Sequence, residues 1–140
     1  MKKITLILNK LQDAALLMVR GILAYGFYEP AKTKWEDIHS VGEWFEGMGM
    51  PMPYLNAYLS ASFEMAGVFL LLLGLLTRWI SFPLIVIMIV AIKTVHWENG
   101  FAASDNGFEI PLYYMIMLFV LVAFGGGKYS VDYWLWERKN

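Results

Sequence analysis

Five side chains able to do acid–base or binding chemistry lie within, or at the ends of, strongly hydrophobic segments. They are Arg20, Glu64, Lys93, His96 and Glu109. A charge inside a bilayer is costly, so such residues usually face a partner or a polar cavity and mark ligand sites or proton paths. With the histidine neutral, the two cations and two anions sum to zero, which a low-dielectric site favours. We therefore expect the five side chains to converge on one ligand-binding pocket.

Helical spacing gives this expectation a direction. Glu64 follows Ser60 by four residues, and His96 follows Lys93 by three, so each pair lies on one helix face. Structural readings remain open beside the functional one. Arg20 paired with Glu64 would fix helix register without binding a ligand. Lys93 near a helix end would extend its ammonium to the membrane interface, and a carboxylate near a helix N-terminus, such as Glu109, is favoured by the helix dipole alone.

The elements that must position these residues are membrane-spanning helices. The chain is 59% hydrophobic and 16% charged, against about 25% charged in ordinary soluble domains, and its mean hydropathy is +0.51. Residues 110–124 contain no charge at all, which argues against a soluble helical bundle. A length of 140 residues predicts one domain, residues 1–140.

Composition also excludes several chemistries. Cysteine is absent, which removes disulfides, thiol nucleophiles and cysteine-ligated iron–sulfur clusters. Two histidines leave little basis for a transition-metal site, so we expect no metal. A net charge of −1 gives no electrostatic case for binding nucleic acid.

The apolar runs predict an all-α, four-helix transmembrane bundle. Glu29-Pro30 is expected to end the first span, and Thr77-Arg78-Trp79 to form a tight turn between the second and third. In the first connection, Val41, Trp44, Phe45 and Met48 recur at helical spacing. They predict a short amphipathic helix in the membrane interface, or else a loop packing its aromatic residues on the bundle. The four spans are predicted at residues 11–28, 54–76, 80–97 and 108–124.

Basic residues set the orientation. With the N-terminus inside, seven Lys and Arg residues flank the spans on one side, and only Lys32 and Lys34 on the other. The positive-inside rule therefore predicts that both termini are cytoplasmic and that the protein crosses the membrane several times. The seven are Lys2, Lys3, Lys10, Arg78, Lys128, Arg138 and Lys139.

Six short motifs are spread over about residues 11–133. They are Arg20-Gly21, Gly49-Met50-Pro51, Glu64-Met65-Ala66-Gly67, Leu73-Gly74-Leu75-Leu76-Thr77-Arg78, residues 106–112 (NGFEIPL) and residues 125–132 (GGGKYSVD). Together they resemble the motifs of the DoxX family of small bacterial membrane proteins, which is also grouped with the DoxD subunit of thiosulfate:quinone oxidoreductases. One departure is Gly126, where the family often has proline.

The resemblance implies a four-helix transmembrane fold and a location in the bacterial inner membrane. Arg20, Glu64 and Glu109 match the family's polar positions, with Lys93 and His96 as contributors. It also implies a link to redox-associated membrane complexes. One hypothesis is therefore a redox-associated subunit that binds a quinone or another small ligand at the charged pocket. Nothing in the chain carries electrons, so an oxidoreductase of this kind would need a partner subunit.

Two other hypotheses remain. In the second, the protein is a non-enzymatic binding or assembly partner for an extracytoplasmic or redox protein, and the charged cluster is structural. In the third, it is a small transporter, which a chain this short without inverted repeats would need to form as a homo-oligomer. A lipid-accessible slot beside the charges favours the first, and charges fully satisfied by the chain itself favour the second.

Overall fold

The computed structural model describes residues 1–138; helices make up 83% of those residues, and no β-strand occurs among them. An all-helical architecture is therefore confirmed. The α-helices are α1 (Lys2–Asn9), α2 (Leu11–Glu36), α3 (Ile38–Gly47), α4 (Pro53–Leu73), α5 (Thr77–Ala91) and α6 (Glu109–Phe124). Consecutive long helices run antiparallel, and α4 lies between α2 and α5 while α6 packs on α5.

The first long helix does not end at Glu29-Pro30, as the sequence predicted, but continues to Glu36. Pro30 lacks the N–H that would bond the carbonyl of Gly26, so the helix tolerates one missing hydrogen bond. Tertiary contacts hold the final two turns: Ala31 is fully buried, and Trp35 Nε1 donates to the Ala61 carbonyl at 3.1 Å. Packing against α4 therefore outweighs the local effect of proline.

The turn between α4 and α5 comes earlier than predicted. α4 ends at Leu73, and Gly74 and Leu76 both have left-handed backbone conformations, with φ of 70° and 53°. Thr77, Arg78 and Trp79 are thus the first turn of α5 rather than the link. Glycine takes a positive φ without steric cost, whereas Leu76 needs support from elsewhere in the chain.

At the opposite end, α5 continues as a π-helical turn over Ile92–His96 and a 3₁₀ turn over Trp97–Asn99. A second 3₁₀ turn, Ala103–Asp105, interrupts the loop that leads to α6. α6 begins one residue later than the predicted fourth span and stops at Gly125, whose φ is 75°. The glycine run therefore ends the helix as expected, and Tyr133–Glu137 forms a last π-helical turn.

The short helix expected in the first connection is present as α3. Its Gly42 and Phe45 are buried against α4, whereas Trp44, expected on the apolar face, is 52% exposed. Asp37 caps the helix by accepting hydrogen bonds from the backbone N–H and hydroxyl of Ser40. These two bonds favour the carboxylate and lower the pKa of Asp37.

The core lies along the seams between the long helices. Its largest apolar members are almost fully buried: Leu23, Phe27, Leu71, Leu84, Leu118 and Leu121. Two helical segments, Pro53–Leu73 and Thr77–Asn99, are long and apolar enough to cross a membrane, and α6 is a shorter apolar helix of 16 residues. Many large apolar side chains, such as Phe69, Val86 and Phe119, point outward and are more than half exposed. That pattern is typical of helices surrounded by lipid.

Two glycines of α2 give a matched test of this packing. A Cβ on Gly26 would overlap the Tyr114 ring of α6, whereas a Cβ on Gly21 would meet nothing within 4 Å. We expect Gly26→Ala to lower the free energy of unfolding by about 1–3 kcal/mol through overpacking. Gly21→Ala should raise it by up to about 1 kcal/mol through helix propensity. Thermal denaturation in detergent measures both, and equal stability of the two variants would contradict the close α2–α6 approach.

Candidate functional site

Glu64 forms a buried ion pair with Lys34, a residue that the sequence placed in a connection. The Lys34 ammonium donates to both carboxylate oxygens, at 2.8 Å and 2.7 Å. The Glu64 side chain is 2% exposed and that of Lys34 is 20% exposed. Two short charge-assisted bonds between partners this buried make a strong contact that leaves neither charge alone.

Helix geometry explains why these two residues meet. Glu64 stands near the middle of α4 and Lys34 near the end of α2. Side chains on a helix lean toward its N-terminus, so the long lysine stem reaches back along α2 toward the level of Glu64. Next to Lys34, Trp35 of α2 packs on Tyr58 of α4, with ring centroids 5.9 Å apart. The continuation of α2 past Pro30 is what brings the ammonium into reach.

Arg20, the other cation of α2, lies at a different level and has different partners. It precedes Lys34 by fourteen residues, which is about 21 Å along the helix. Its guanidinium is fully buried and donates to the carbonyls of Leu71, at 3.0 Å, and of Tyr129. Carbonyls in the last turn of a helix lack partners within that helix, and a cation there also complements the dipole. Arg20 therefore caps the C-terminus of α4 and ties it to the segment after α6.

Asp132 performs the matching task for α5. Its two carboxylate oxygens accept from the backbone N–H groups of Leu76, at 2.7 Å, and Thr77, at 2.9 Å. Its own N–H donates to the Gly74 carbonyl at 3.0 Å. A carboxylate at a helix N-terminus satisfies free N–H groups and complements the dipole. Asp132 thereby supports the left-handed backbone of Leu76.

Small residues make room for this junction, which we call the capped turn (Arg20, residues 71–77 and 125–132). A Cβ added to Gly74 would collide with the Arg20 guanidinium and with Ser130, and one on Gly126 would lie 2.9 Å from the Thr77 hydroxyl. Two buried polar atoms of the described residues, Arg20 Nε and Thr77 Oγ1, have no hydrogen-bond partner. A guanidinium held by carbonyls alone stabilises helix ends and is in no position to transfer a proton.

The remaining three candidates lie at the other end of the helices. His96 Nδ1 contacts the Asn106 carbonyl at 2.9 Å, and Glu109 Oε1 accepts from the Ala103 N–H at 3.2 Å. Both contacts fasten the loop between α5 and α6. Lys93 is exposed on the π-helical turn and has no hydrogen bond or salt bridge within residues 1–138.

The expectation that the five side chains converge on one pocket is therefore corrected. Arg20 and Glu64 share no hydrogen bond or salt bridge in the described part of the chain, and Lys93, His96 and Glu109 do not join them. The reason is the extra length of α2, which supplies Glu64 with Lys34 and leaves Arg20 for the helix end. Whether any of the five binds a ligand stays a prediction.

Sequence reasoning missed Lys34 and Asp132. A signal for Lys34 was present, because Phe27, Ala31 and Lys34 follow one another at i, i+4 and i+7 on the face that also carries Arg20. Ending the helix at Pro30 concealed that signal. Asp132 gave no local signal, because it caps a helix that begins 55 residues earlier in the chain.

Two cavities lie along the described part of the chain, and none of the five predicted residues lines either of them. One, of about 250 Å³, is an apolar groove between α5 and α6, lined by Ile85, Met115, Ile116 and Phe119. The other, of about 260 Å³, lies beside the capped turn and includes Arg78 and Asp132. Among the described residues no group of three or more His, Cys, Asp or Glu side chains is placed to hold a metal ion.

Comparison with known proteins places these elements in a family. The DoxX family model matches residues 15–97, more than half of the chain. The chain belongs to the DoxX family. The match contains Arg20, Lys34 and Glu64 and ends before α6, so the DoxX model does not extend to Asp132.

A relative from Haemophilus influenzae, described as an uncharacterized protein, is 32% identical to this chain over 126 residues. The alignment covers 84% of this chain and 81% of the relative. No solved structure matches the chain. The resemblance to DoxX proteins seen in the sequence is thus confirmed, and with it a family of membrane proteins.

The Lys34–Glu64 pair predicts a large and specific loss of stability. Lys34→Met leaves a buried carboxylate without a partner, which should cost about 3–5 kcal/mol. Lys32→Met is the matched control, because Lys32 lies on the same helix and its 3.9 Å pair with Glu36 is exposed. An exposed pair contributes about 0–1 kcal/mol. Thermal denaturation in detergent compares the two variants, and similar losses for both would rule out a buried pair at Glu64.

Proposed function

We propose that this DoxX protein is a multi-pass protein of the bacterial inner membrane, with α2, α4, α5 and α6 as four spans and both termini in the cytoplasm. The capped turn groups the start of α2, the end of α4, the start of α5 and the end of α6 at one end of the molecule. The basic residues Lys2, Lys3, Lys10, Arg78, Lys128 and Arg138 lie at or beyond these helix ends. Their excess supports a cytoplasmic location for that end. Lys139, counted with them in the sequence, lies outside the described residues.

Helix length agrees with this arrangement. At 1.5 Å per residue, α4 is about 31 Å long and α2 about 39 Å, against a hydrocarbon core of about 30 Å. α6, at about 24 Å, is shorter, and the apolar residues of its flanking segments extend it. The continuous helical segment Thr77–Asn99 has 23 residues, enough for a complete span.

Within the membrane, we propose that the protein is a non-enzymatic binding and assembly partner for an extracytoplasmic protein. The observation that carries the proposal is the closed pairing of Glu64 and Lys34. The Lys34 ammonium already donates to both carboxylate oxygens, so it cannot donate to a quinone carbonyl without breaking a buried ion pair, and the ionised Glu64 has no proton to donate. Arg20 is likewise engaged by backbone carbonyls. The intramembrane charges therefore serve to hold helices together.

The outer end offers a surface for such a partner. One face of α3 packs on α4, and the side turned away from α4 exposes Glu43 and Trp44 together with the preceding Asp37. Glu46 is also exposed at the edge of the packed face, where it accepts a hydrogen bond from the Tyr54 hydroxyl of α4. Acidic groups around an exposed tryptophan suit a partner that presents basic and apolar side chains, because tryptophan is a frequent anchor in protein interfaces. The rest of this end is also acidic, with Glu98 and Asp105 exposed in the loop after α5.

The quinone-linked role implied by the family resemblance remains the competing candidate. A quinone would need hydrogen-bond donors at the mouth of an apolar slot. The apolar groove between α5 and α6 is lined by Ile85, Met115, Ile116 and Phe119 alone, and none of these provides a donor. The two candidates therefore differ in what should accompany the protein on purification.

The test is gentle extraction of the full-length protein, followed by native mass spectrometry and quinone analysis. We expect a second protein in stoichiometric amount, lost on Glu43→Lys with Trp44→Ala, and retained on Glu98→Lys, the matched acidic control at the same end. The expected loss is at least about tenfold in the bound fraction, since one interfacial anchor contributes roughly 2 kcal/mol. A stoichiometric quinone that disappears on Glu64→Gln would overturn the assembly role and favour the redox role.

A further inference from the structure

A cavity of about 260 Å³ lies between the first turn of α5 and the segment that follows α6. Its lining includes two tryptophans, Trp79 and Trp136, and three charged residues, Arg78, Asp132 and Glu137. It borders the capped turn and shares with it Leu76 and Asp132, which are hydrogen-bonded to each other. Neither the family match nor the proposed assembly role assigns it a purpose.

The charges around the cavity are not equivalent. Asp132 is engaged, because both of its oxygens accept backbone N–H groups at the start of α5. The side chains of Arg78 and Glu137 are both exposed and form no salt bridge or hydrogen bond with any other residue of 1–138. The lining of the cavity therefore includes one cation, Arg78, and one anion, Glu137, whose side chains are free to bind a ligand.

The position of Arg78 is defined by the glycine run. A Cβ placed on Gly125 would lie 3.0 Å from Arg78 Nε, so the guanidinium lies directly over the backbone there. That backbone has a φ of 75°, which disfavours any side chain that would displace the guanidinium. A planar guanidinium with free N–H groups is well suited to bind a phosphate through two parallel hydrogen bonds.

The two tryptophans indicate where the cavity lies relative to lipid. Trp79 is 73% exposed and Trp136 is 53% exposed, and exposed tryptophans at the ends of membrane spans occupy the headgroup level. A cavity at that level can be reached by the polar part of a neighbouring lipid whose acyl chains stay in the bilayer. Its volume is below the roughly 300–1,000 Å³ of pockets for larger ligands.

We propose that this cavity binds the headgroup of a phospholipid that carries both a phosphate and an ammonium group, the phosphatidylethanolamine class. Arg78 holds the phosphate and Glu137 the ammonium, while Trp79 and Trp136 flank the glycerol region. An anionic lipid without the ammonium would leave Glu137 unpaired beside its phosphate. The assignment rests on the proposed membrane topology, which puts this end at the cytoplasmic leaflet.

The experiment uses the full-length protein in nanodiscs of equal parts phosphatidylethanolamine and phosphatidylglycerol, released and weighed by native mass spectrometry. We expect one retained phosphatidylethanolamine, enriched at least about fivefold over phosphatidylglycerol. Arg78→Gln should abolish retention of both lipids. Glu137→Gln should remove the preference while retention persists. Lys128→Gln, which removes a nearby cation outside the cavity, is the control and should change nothing.

The proposal would be overturned by no retained lipid, by equal retention in Arg78→Gln, or by a phosphatidylglycerol preference that Glu137→Gln leaves unchanged. Displacement of the lipid by millimolar phosphoethanolamine would show that the ligand is a soluble compound, which also contradicts it. Arg78→Lys keeps the positive charge that influences orientation and should retain the lipid weakly, which separates binding from misinsertion. These readouts do not depend on a partner protein, so failure here is distinguishable from failure of the assembly role.

Discussion

The structure depends on how an apolar bundle neutralises the charges that it contains. α2 carries two buried or largely buried cations on one face, Arg20 and Lys34, and each receives a different kind of partner. Lys34 meets the carboxylate of Glu64, whereas Arg20 meets backbone carbonyls at the end of α4. Each solution satisfies a charge that would otherwise be very costly in a low-dielectric environment. Together they fasten α2 to α4 at two levels.

The capped turn extends this fastening to α5 and to the segment after α6. Arg20 supplies positive charge where α4 ends, and Asp132 supplies negative charge where α5 begins, so the two helix dipoles are matched within one short turn. The tight α4–α5 link needs a left-handed Gly74 and Leu76. Support for that backbone comes from the far end of the chain, which couples the first, middle and last segments of the sequence.

Periodicity and composition were enough to predict the existence of α2 to α6, because membrane-spanning helices need long apolar runs and polar breaks between them. The end of α2 was not predictable from Pro30 alone, since the local preference of proline is opposed by burial of Ala31 and by the Trp35 hydrogen bond. The turn before α5 was misplaced for a related reason. Thr77 and Arg78 are polar and resemble a loop, but Asp132 caps them as the first turn of a helix.

The candidate site also shows that local sequence patterns do not predict long-range contacts. Arg20 and Glu64 were correctly singled out as buried charges, with exposed fractions of 0% and 2%. The predicted pairing of Arg20 with Glu64 was wrong. The argument from charge balance considered only ionised side chains, whereas the partners of Arg20 are backbone carbonyls. The other three candidates lie at the opposite end of the helices from Arg20. His96 and Glu109 contact the loop between α5 and α6 there, and Lys93 is exposed. Sequence reasoning thus found the costly residues but not the contacts that satisfy them.

The central claim is that Glu64 is coupled to Lys34 and not to Arg20. Two double-mutant cycles in detergent measure it, one combining Glu64→Gln with Lys34→Met and the other combining Glu64→Gln with Arg20→Gln. Contacting residues show interaction energies of about 0.5–3 kcal/mol, and separate sites add to within about 0.5 kcal/mol. We expect the first cycle to fall in the upper part of that range and the second to be additive. A coupling of Glu64 to Arg20 as large as that to Lys34 would contradict the account and restore the single charged pocket.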